Sequence, residues 1–291
     1  MQTSSRRNII VTGSNKGIGY GILETLLAGE NSYEIIATAR NIKLGEKAVS
    51  TLSKKYPKST STLVFHQLDV NDDKSIDDLV QWVKTKYGKL DVLVNNAAIL
   101  YMTPTEEDIR YTIKTNFLSV VKLTEKLIPL LSDDGKIINV SSTLGVLEIQ
   151  APTLKKALED EKLTEQQLLD IGNNILEHIK DYTGVPYPES SYPTSKALLN
   201  TYSRKILANK LKKNQQVYVL CPGLCGTDLN GFTVTKEGEE STNPFGRVKT
   251  ATEGADTPVY LINLPFEKNE ELNAKFFRER EISSYDNFPK L

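Results

Sequence analysis

Val11-Thr12-Gly13-Ser14-Asn15-Lys16-Gly17-Ile18-Gly19 carries three glycines at the junction of two unlike patterns. Before it runs Asn8-Ile9-Ile10-Val11, short, apolar and β-branched, as a buried strand requires. After it, residues 19–28 put Ile22, Leu23, Leu26 and Leu27 on one side of a helix. A strand that turns into a helix through glycines aims backbone N–H groups at the helix N-terminus, where a pyrophosphate binds. Gly13, Gly17 and Gly19 supply the turn and the close approach, and Asn15, Lys16 and Ile18 complete the loop. The spacing Gly-x-x-x-Gly-x-Gly differs from the more familiar Gly-x-Gly-x-x-Gly. An ordinary glycine-rich turn is the alternative.

The alternation continues outward from this loop. Residues 34–38, 62–68, 91–95, 136–140 and 217–221 read as strands. Residues 45–56, 75–87, 109–131 and 192–211 read as helices, the third of these kinked near its end by Pro129. Short apolar strands separated by helices predict an α/β fold, a doubly wound parallel sheet with helices on both faces. A single domain spanning residues 1–291 is expected. Two segments break the rhythm. Residues 143–191 form an insertion in which Thr164 and Gln167 make a capping box. Leu168, Ile171, Ile175 and Ile179 follow at helical spacing, and Gly184 and Pro186 are expected to end the helix. Residues 230–250 are rich in Gly, Thr, Ser, Glu and Asn and read as a surface loop, either a lid or simply solvated.

Composition narrows the function class. A net charge of −1 over 291 residues offers no surface for nucleic acid. No apolar run has the length of a membrane span, and residues 1–7 lack a secretory core. Two cysteines and two histidines make a zinc site improbable and suit a reducing, cytoplasmic setting.

In dinucleotide sites an acid at the end of the second strand holds the ribose 2′-hydroxyl. Here that strand ends Thr38-Ala39-Arg40, and Lys16 sits within the glycine loop. Two cations in place of one acid predict a 2′-phosphate, hence NADPH. Each charge-assisted contact contributes about 1.5–3 kcal/mol. The alternative is that Arg40 faces solvent.

Ser191-Tyr192-Pro193-Thr194-Ser195-Lys196 puts a phenol and an ammonium one helical turn apart on one face. A free phenol titrates at about 10. A nearby ammonium favours the phenolate by up to about 4 kcal/mol at 4 Å in a medium of dielectric 20. Tyr192 thereby becomes a stronger proton donor near neutral pH.

With these motifs in order, the chain resembles the short-chain dehydrogenase/reductases from Asn8 to near its end. Residues 12–19 match that family's cofactor loop. Asn95-Asn96-Ala97 matches its sheet-stabilising motif, although Ala98 stands where a Gly is usual. Asn139-Val140-Ser141-Ser142 matches the catalytic serine segment, and Tyr192 with Lys196 the tyrosine–lysine pair. Asp69-Val70 matches the pair that contacts adenine, Pro222-Gly223 and Thr227 the loop at the nicotinamide end, and Asn116 the helix asparagine. The resemblance implies a Rossmann-type fold and a set of roles. Ser142 would bond the substrate oxygen, with Ser141 as its rival. Tyr192 would donate the proton. Lys196 would lower the Tyr192 pKa and hold the nicotinamide ribose. Asn116 would anchor a water of the proton relay, and NADPH would deliver hydride.

Tyr192 follows Ser142 by 50 positions, far more than is usual. That insertion, with His66-Gln67-Leu68-Asp69-Val70 and Glu253-Gly254-Ala255-Asp256-Thr257-Pro258, resembles the monomeric NADPH-dependent carbonyl reductases. In that branch the insertion covers the surface through which other members associate, so a monomer is expected. The branch reduces small-molecule aldehydes, ketones and quinones. Leu224 replaces its aromatic after Pro-Gly, and residues 231–247 are longer than usual, so the substrate does not carry over. Cys225 either lines the pocket or is a small buried residue. A specialist alcohol, hydroxysteroid or terpenoid ketone dehydrogenase is one alternative, and a non-catalytic dinucleotide sensor another.

Overall fold

The protein is described here by a computed structural model that covers residues 6–101, 105–179, 191–235, 247–267 and 269–287. Eight strands form one sheet: β1 (Arg7–Val11), β2 (Tyr33–Ala39), β3 (Thr62–Gln67), β4 (Leu90–Asn95), β5 (Leu131–Val140), β6 (Gln216–Cys221), β7 (Phe276–Arg278) and β8 (Glu281–Ser283). Their order is β3-β2-β1-β4-β5-β6-β7-β8, parallel throughout except for the β7–β8 pair. The chain winds outward in one direction from β1 and in the other from β4. Their carboxyl ends therefore border the crevice where a doubly wound sheet binds ligands.

Side-chain alternation along the central strands sorts the core into two layers. Ile9, Val11, Val92, Val94, Ile138, Val140, Tyr218 and Leu220 face one side. There they meet α1 (Gly17–Ala28), α2 (Ile42–Lys55) and, from the far end of the chain, the helix at Asp256–Asn263. Ile10, Leu93, Ile137 and Val217 face the other side. They pack on α3 (Asp73–Lys86), α4 (Glu106–Ile113) and α5 (Ser119–Leu127). The insertion adds α6 (Pro152–Glu159), α7 (Glu165–Asn173) and α8 (Ile175–His178) to this layer, and α9 (Ser191–Thr201) and α10 (Ala208–Lys210) complete it. A short α11 (Ala251–Gly254) precedes α12 (Asp256–Asn263).

The doubly wound reading and the first six strands hold. Several details differ from expectation. The helix expected over 109–131 starts earlier, at Glu106, because Thr105 and Asp108 form a capping box. It is then interrupted by a π turn at Lys114–Leu118, and Leu131 already belongs to β5. In the insertion Thr164 and Gln167 cap α7 as predicted, but the helix breaks at Asn174. Gly184 and Pro186 lie outside the described residues. Helix α6, entered through Pro152, was not foreseen. Nor were α12, β7 and β8.

Candidate active site and cofactor cleft

The loop after β1 is held by the loop after β4. Thr12 Oγ1 accepts from the backbone N–H groups of Asn96 and Ala97, both at 2.9 Å. Asn96 Nδ2 donates to Thr12 O at 2.8 Å. The fit leaves no room for side chains. A Cβ on Gly13 would lie 2.9 Å from Ala97 Cα, and one on Gly19 would lie 2.6 Å from Asn96 Nδ2. Gly13 and Gly17 also take positive φ, 62° and 58°. The N-cap residue of α1, Lys16, makes no side-chain cap, and no acid occupies the first turn. The leading N–H groups of α1 thus lack the side-chain acceptor that would compete with an anion, which suits them to a pyrophosphate.

A cleft of about 370 Å³ opens over this turn. Gly13, Asn15, Lys16, Gly17, Ile18, Arg40, Asp69, Val70, Asn96, Ala97, Tyr192, Lys196, Pro222 and Thr227 all line it. Of the expected cofactor residues only Gly19, packed behind on Asn96, and Gly223 do not. Arg40 follows directly on β2 and is exposed. Asp69 instead follows β3, where its carboxylate accepts from Asn71 N. Lys16 is not free: its ammonium bonds Asp228 at 2.9 Å across the mouth of the cleft. Sequence reasoning missed this pair, whose members stand 212 positions apart.

At the inner end of the cleft α9 presents Tyr192 and Lys196. Lys196 Nζ donates to Val140 O at 2.9 Å and lies 5.4 Å from the centre of the Tyr192 ring. Burial lowers the Lys196 ammonium from 10.5 to about 8. The two serines after β5 part company. Ser141 turns inward and donates to Asn200 Oδ1 at 2.6 Å. Ser142 stays partly open, accepts from Leu144 N at 3.1 Å and borders a second cavity of about 110 Å³. Tyr192 lines both that cavity and the cofactor cleft.

Asn116 sits in the π turn. Its carboxamide accepts from Ile99 N at 2.9 Å and donates to Ile99 O at 2.9 Å and to Ser195 Oγ at 3.1 Å. Those contacts tie the loop after β4 to α9. The side chain's donors are therefore committed to protein.

Leu144, Leu224, Leu229, Phe232 and Cys225 give the second cavity an apolar wall, and no charged side chain lines it among the described residues. Cys225 is also packed: a Cβ on Gly254 would meet its Sγ at 2.4 Å. Burial pushes its thiol up to about 12, so it is not a thiolate at neutral pH. The described ends of the 230–250 loop are pinned, since Thr235 N donates to Val248 O and Lys249 N to Leu224 O.

Comparison with known proteins places this site in context. The family model "short chain dehydrogenase" matches residues 7–153. Carbonyl reductase [NADPH] 1 of Sus scrofa is 34% identical over 276 residues, covering 90% of this chain and 89% of that one. (+)-Neomenthol dehydrogenase of Arabidopsis thaliana is 35% identical over 315 residues, covering 98% and 100%. Among solved structures, salutaridine reductase from Papaver somniferum superposes with a TM-score of 0.77 at 31% identity, covering 94% of this chain and 99% of that one.

Proposed function

The chain belongs to the short-chain dehydrogenase/reductase family, and from that premise we propose that it reduces aldehydes, ketones or quinones to alcohols with NADPH. The observation that carries the proposal is the position of Tyr192, whose side chain borders both the cofactor cleft and the apolar cavity beside it. A carbonyl in that cavity meets a proton donor on the side where a nicotinamide would lie.

Bound NADPH supplies a hydride to the carbonyl carbon. The oxygen, gaining charge, takes the Tyr192 proton and a hydrogen bond from the Ser142 hydroxyl. Lys196 stabilises the phenolate that remains, and its burial keeps that charge unscreened. Asn116 holds the loop after β4 against α9 and would anchor the relay water. Lys16 and Arg40 would hold the 2′-phosphate, the first by exchanging Asp228 for it. Pro222, Gly223 and Thr227 would frame the nicotinamide end, and Asp69 and Val70 the adenine end.

A narrower version is a terpenoid or alkaloid ketone reductase. It is favoured by Leu224 and the uncharged wall of the cavity, together with the neomenthol dehydrogenase and salutaridine reductase likenesses. The proposal extends to a single monomeric domain working in the cytoplasm. Cys221 and Cys225 are both unpaired, as a reducing compartment allows. No helix among the described residues is long and apolar enough to cross a membrane.

The test is NADPH consumption with a panel of quinones, aldehydes and cyclic ketones, run alongside NADH and a Tyr192→Phe variant. Turnover should require NADPH and fall roughly 10²–10⁴-fold in the variant. Undiminished turnover by Tyr192→Phe would remove the phenol from the mechanism.

A further inference from the structure

Ser142 and Tyr192 belong to different elements. Ser142 caps the single 3₁₀ turn Thr143–Gly145, too short to fix its own place against α9. Its distance from the phenol is therefore set by whatever fastens that turn to α9. Four side-chain bonds do so, the longest from Ser141 Oγ to the Lys196 carbonyl oxygen at 3.5 Å. Lys196 Nζ donates to Val140 O at 2.9 Å, Ser141 Oγ donates to Asn200 Oδ1 at 2.6 Å, and Asn200 Nδ2 donates to Gly145 O at 3.0 Å. Tyr192, Lys196 and Asn200 recur every four residues, so one face of α9 carries all three. Gly145 lies so close to that face that a Cβ would meet Asn200 Nδ2 and the Lys196 carbonyl carbon at 2.7 Å.

Asn200 and Ser141 are 3% and 2% exposed, so water cannot replace a lost partner cheaply. The carboxamide suits this place because it offers an acceptor and a donor at one end. The acceptor takes Ser141, the residue just before Ser142, and the donor takes Gly145, three residues after it, so the reactive serine is held from both sides.

We propose that Asn200 and Ser141 form a clamp that fixes the Ser142 hydroxyl relative to the Tyr192 phenol, and that both are positioning residues for carbonyl reduction. The inference rests on the reductase reading given above. Neither residue donates to substrate; the clamp acts through Ser142. A displacement of about 1 Å at a catalytic hydrogen-bond donor costs up to roughly 100-fold in rate. The α1 loop, Arg40 and Lys16, which would hold most of NADPH, lie away from the clamp, which meets the cofactor cleft only through Ser141.

The decisive experiment compares Ser141→Ala, Asn200→Ala, their double variant and Ser141→Thr with the parent. The single alanine variants should bind NADPH within about twofold of the parent while kcat falls roughly ten- to hundredfold. The double variant should be no worse than either single one, because both break one device. The solvent deuterium isotope effect on kcat should rise as proton donation slows, and Ser141→Thr should recover most of the rate. Hydrogen exchange should quicken in 142–150 and nowhere else. Additive losses would show that Ser141 acts on its own. A fall in kcat matched by a fall in NADPH affinity would reduce the pair to ordinary core residues. If Asn200→Ala does not fold, Ser141→Ala and Ser141→Thr decide. A parent that turns over no carbonyl would overturn the reductase reading, and the exchange at 142–150 would still judge the clamp: unchanged protection in Ser141→Ala overturns it.

Discussion

Lys196 is a buried ammonium whose proton the reaction needs. Burial brings it down from 10.5 to about 8, so its positive charge is present below that value and lost above it. Without the charge the Tyr192 phenolate is no longer favoured, and the phenol is a weaker acid. Reductive kcat/KM should therefore be level towards neutral pH and fall as pH rises through about 8, the limb belonging to the Tyr192–Lys196 pair. A profile flat to about pH 10 would contradict this. Charge at the other end of the cleft makes a second prediction. Arg40 is exposed and ready, whereas Lys16 must give up Asp228, an exposed pair worth at most about 1 kcal/mol. A charge-assisted contact to phosphate contributes about 1.5–3 kcal/mol. Arg40→Met should thus raise the NADPH Kd about 10- to 100-fold, and Lys16→Met by less, while NADH binding stays near the parent's. Fluorescence titration with both cofactors checks it, and equal losses for NADH and NADPH would contradict a 2′-phosphate site at these residues. The resemblance favoured Ser142 over Ser141; both border the chamber, but Ser141 spends its hydroxyl on Asn200, a partner 59 positions away that only the fold brings near.

At the scale of elements, one buried lysine joins the sheet to the end of the chain's last helix. Lys136 on β5 is fully buried and sends its ammonium to the carbonyls of Leu261, Ile262 and Leu264, where α12 ends. Burial pushes it down to about 7, while those carbonyls and the Phe266 ring at 4.1 Å favour its charged form. Lys136→Met should leave the last turn of α12 uncapped and cost about 2–4 kcal/mol in urea denaturation, with NADPH affinity near the parent's. A loss under about 0.5 kcal/mol would mean the carbonyls find other donors. Helix α12 also shows where sequence reading stops. Most strands legible from the sequence are buried on both faces, where apolar residues run unbroken, as in Ile9-Ile10-Val11 and Val92-Leu93-Val94, and the half-buried β3 was legible from Leu63-Val64-Phe65. β7 and β8 have only three residues each, too few for a period to emerge. α6 and α12 both contain prolines, at Pro152 and Pro258, within the first turn, where a proline is tolerated but reads as a break. The site was legible further than the fold's margins, because glycines that must let two loops touch and a Tyr–Lys pair one turn apart leave residue-level marks.

For the molecule as a whole, the insertion is expected to bear on whether the chain meets a second copy. Leu154, Leu158, Leu168, Ile171 and Ile175 are buried in one cluster with Phe117, Leu123, Leu198 and Tyr202, so the insertion is part of the core, with α7 against the π turn at Lys114–Leu118 and α9, and α8 against α4. Polar contacts fasten the edges. Lys210 pairs with Glu125 of α5 and Glu165 of α7 at 2.9 and 2.6 Å, and Lys205 donates to the carbonyls of Glu159 and Asp160 at the end of α6. Tyr202 joins the same group through Glu125 at 2.7 Å. That packing takes the insertion's apolar stripe into the core, and because a stable dimer needs about 800 Å² from each partner, a monomer is the expected state. Sedimentation velocity should show one species near 32.5 kDa whose coefficient does not change with concentration. Lys210→Met, which cuts the tie between α7 and α5, should lower stability by about 1 kcal/mol and leave the species monomeric, because the apolar packing remains. Emptying that packing with Leu168→Asp and Ile171→Asp together should lift the insertion from α5 and α9. The chain should then self-associate through the uncovered face or aggregate. A parent that sediments as a stable dimer would instead place its interface elsewhere on the surface and remove the insertion from any role in keeping the chain single.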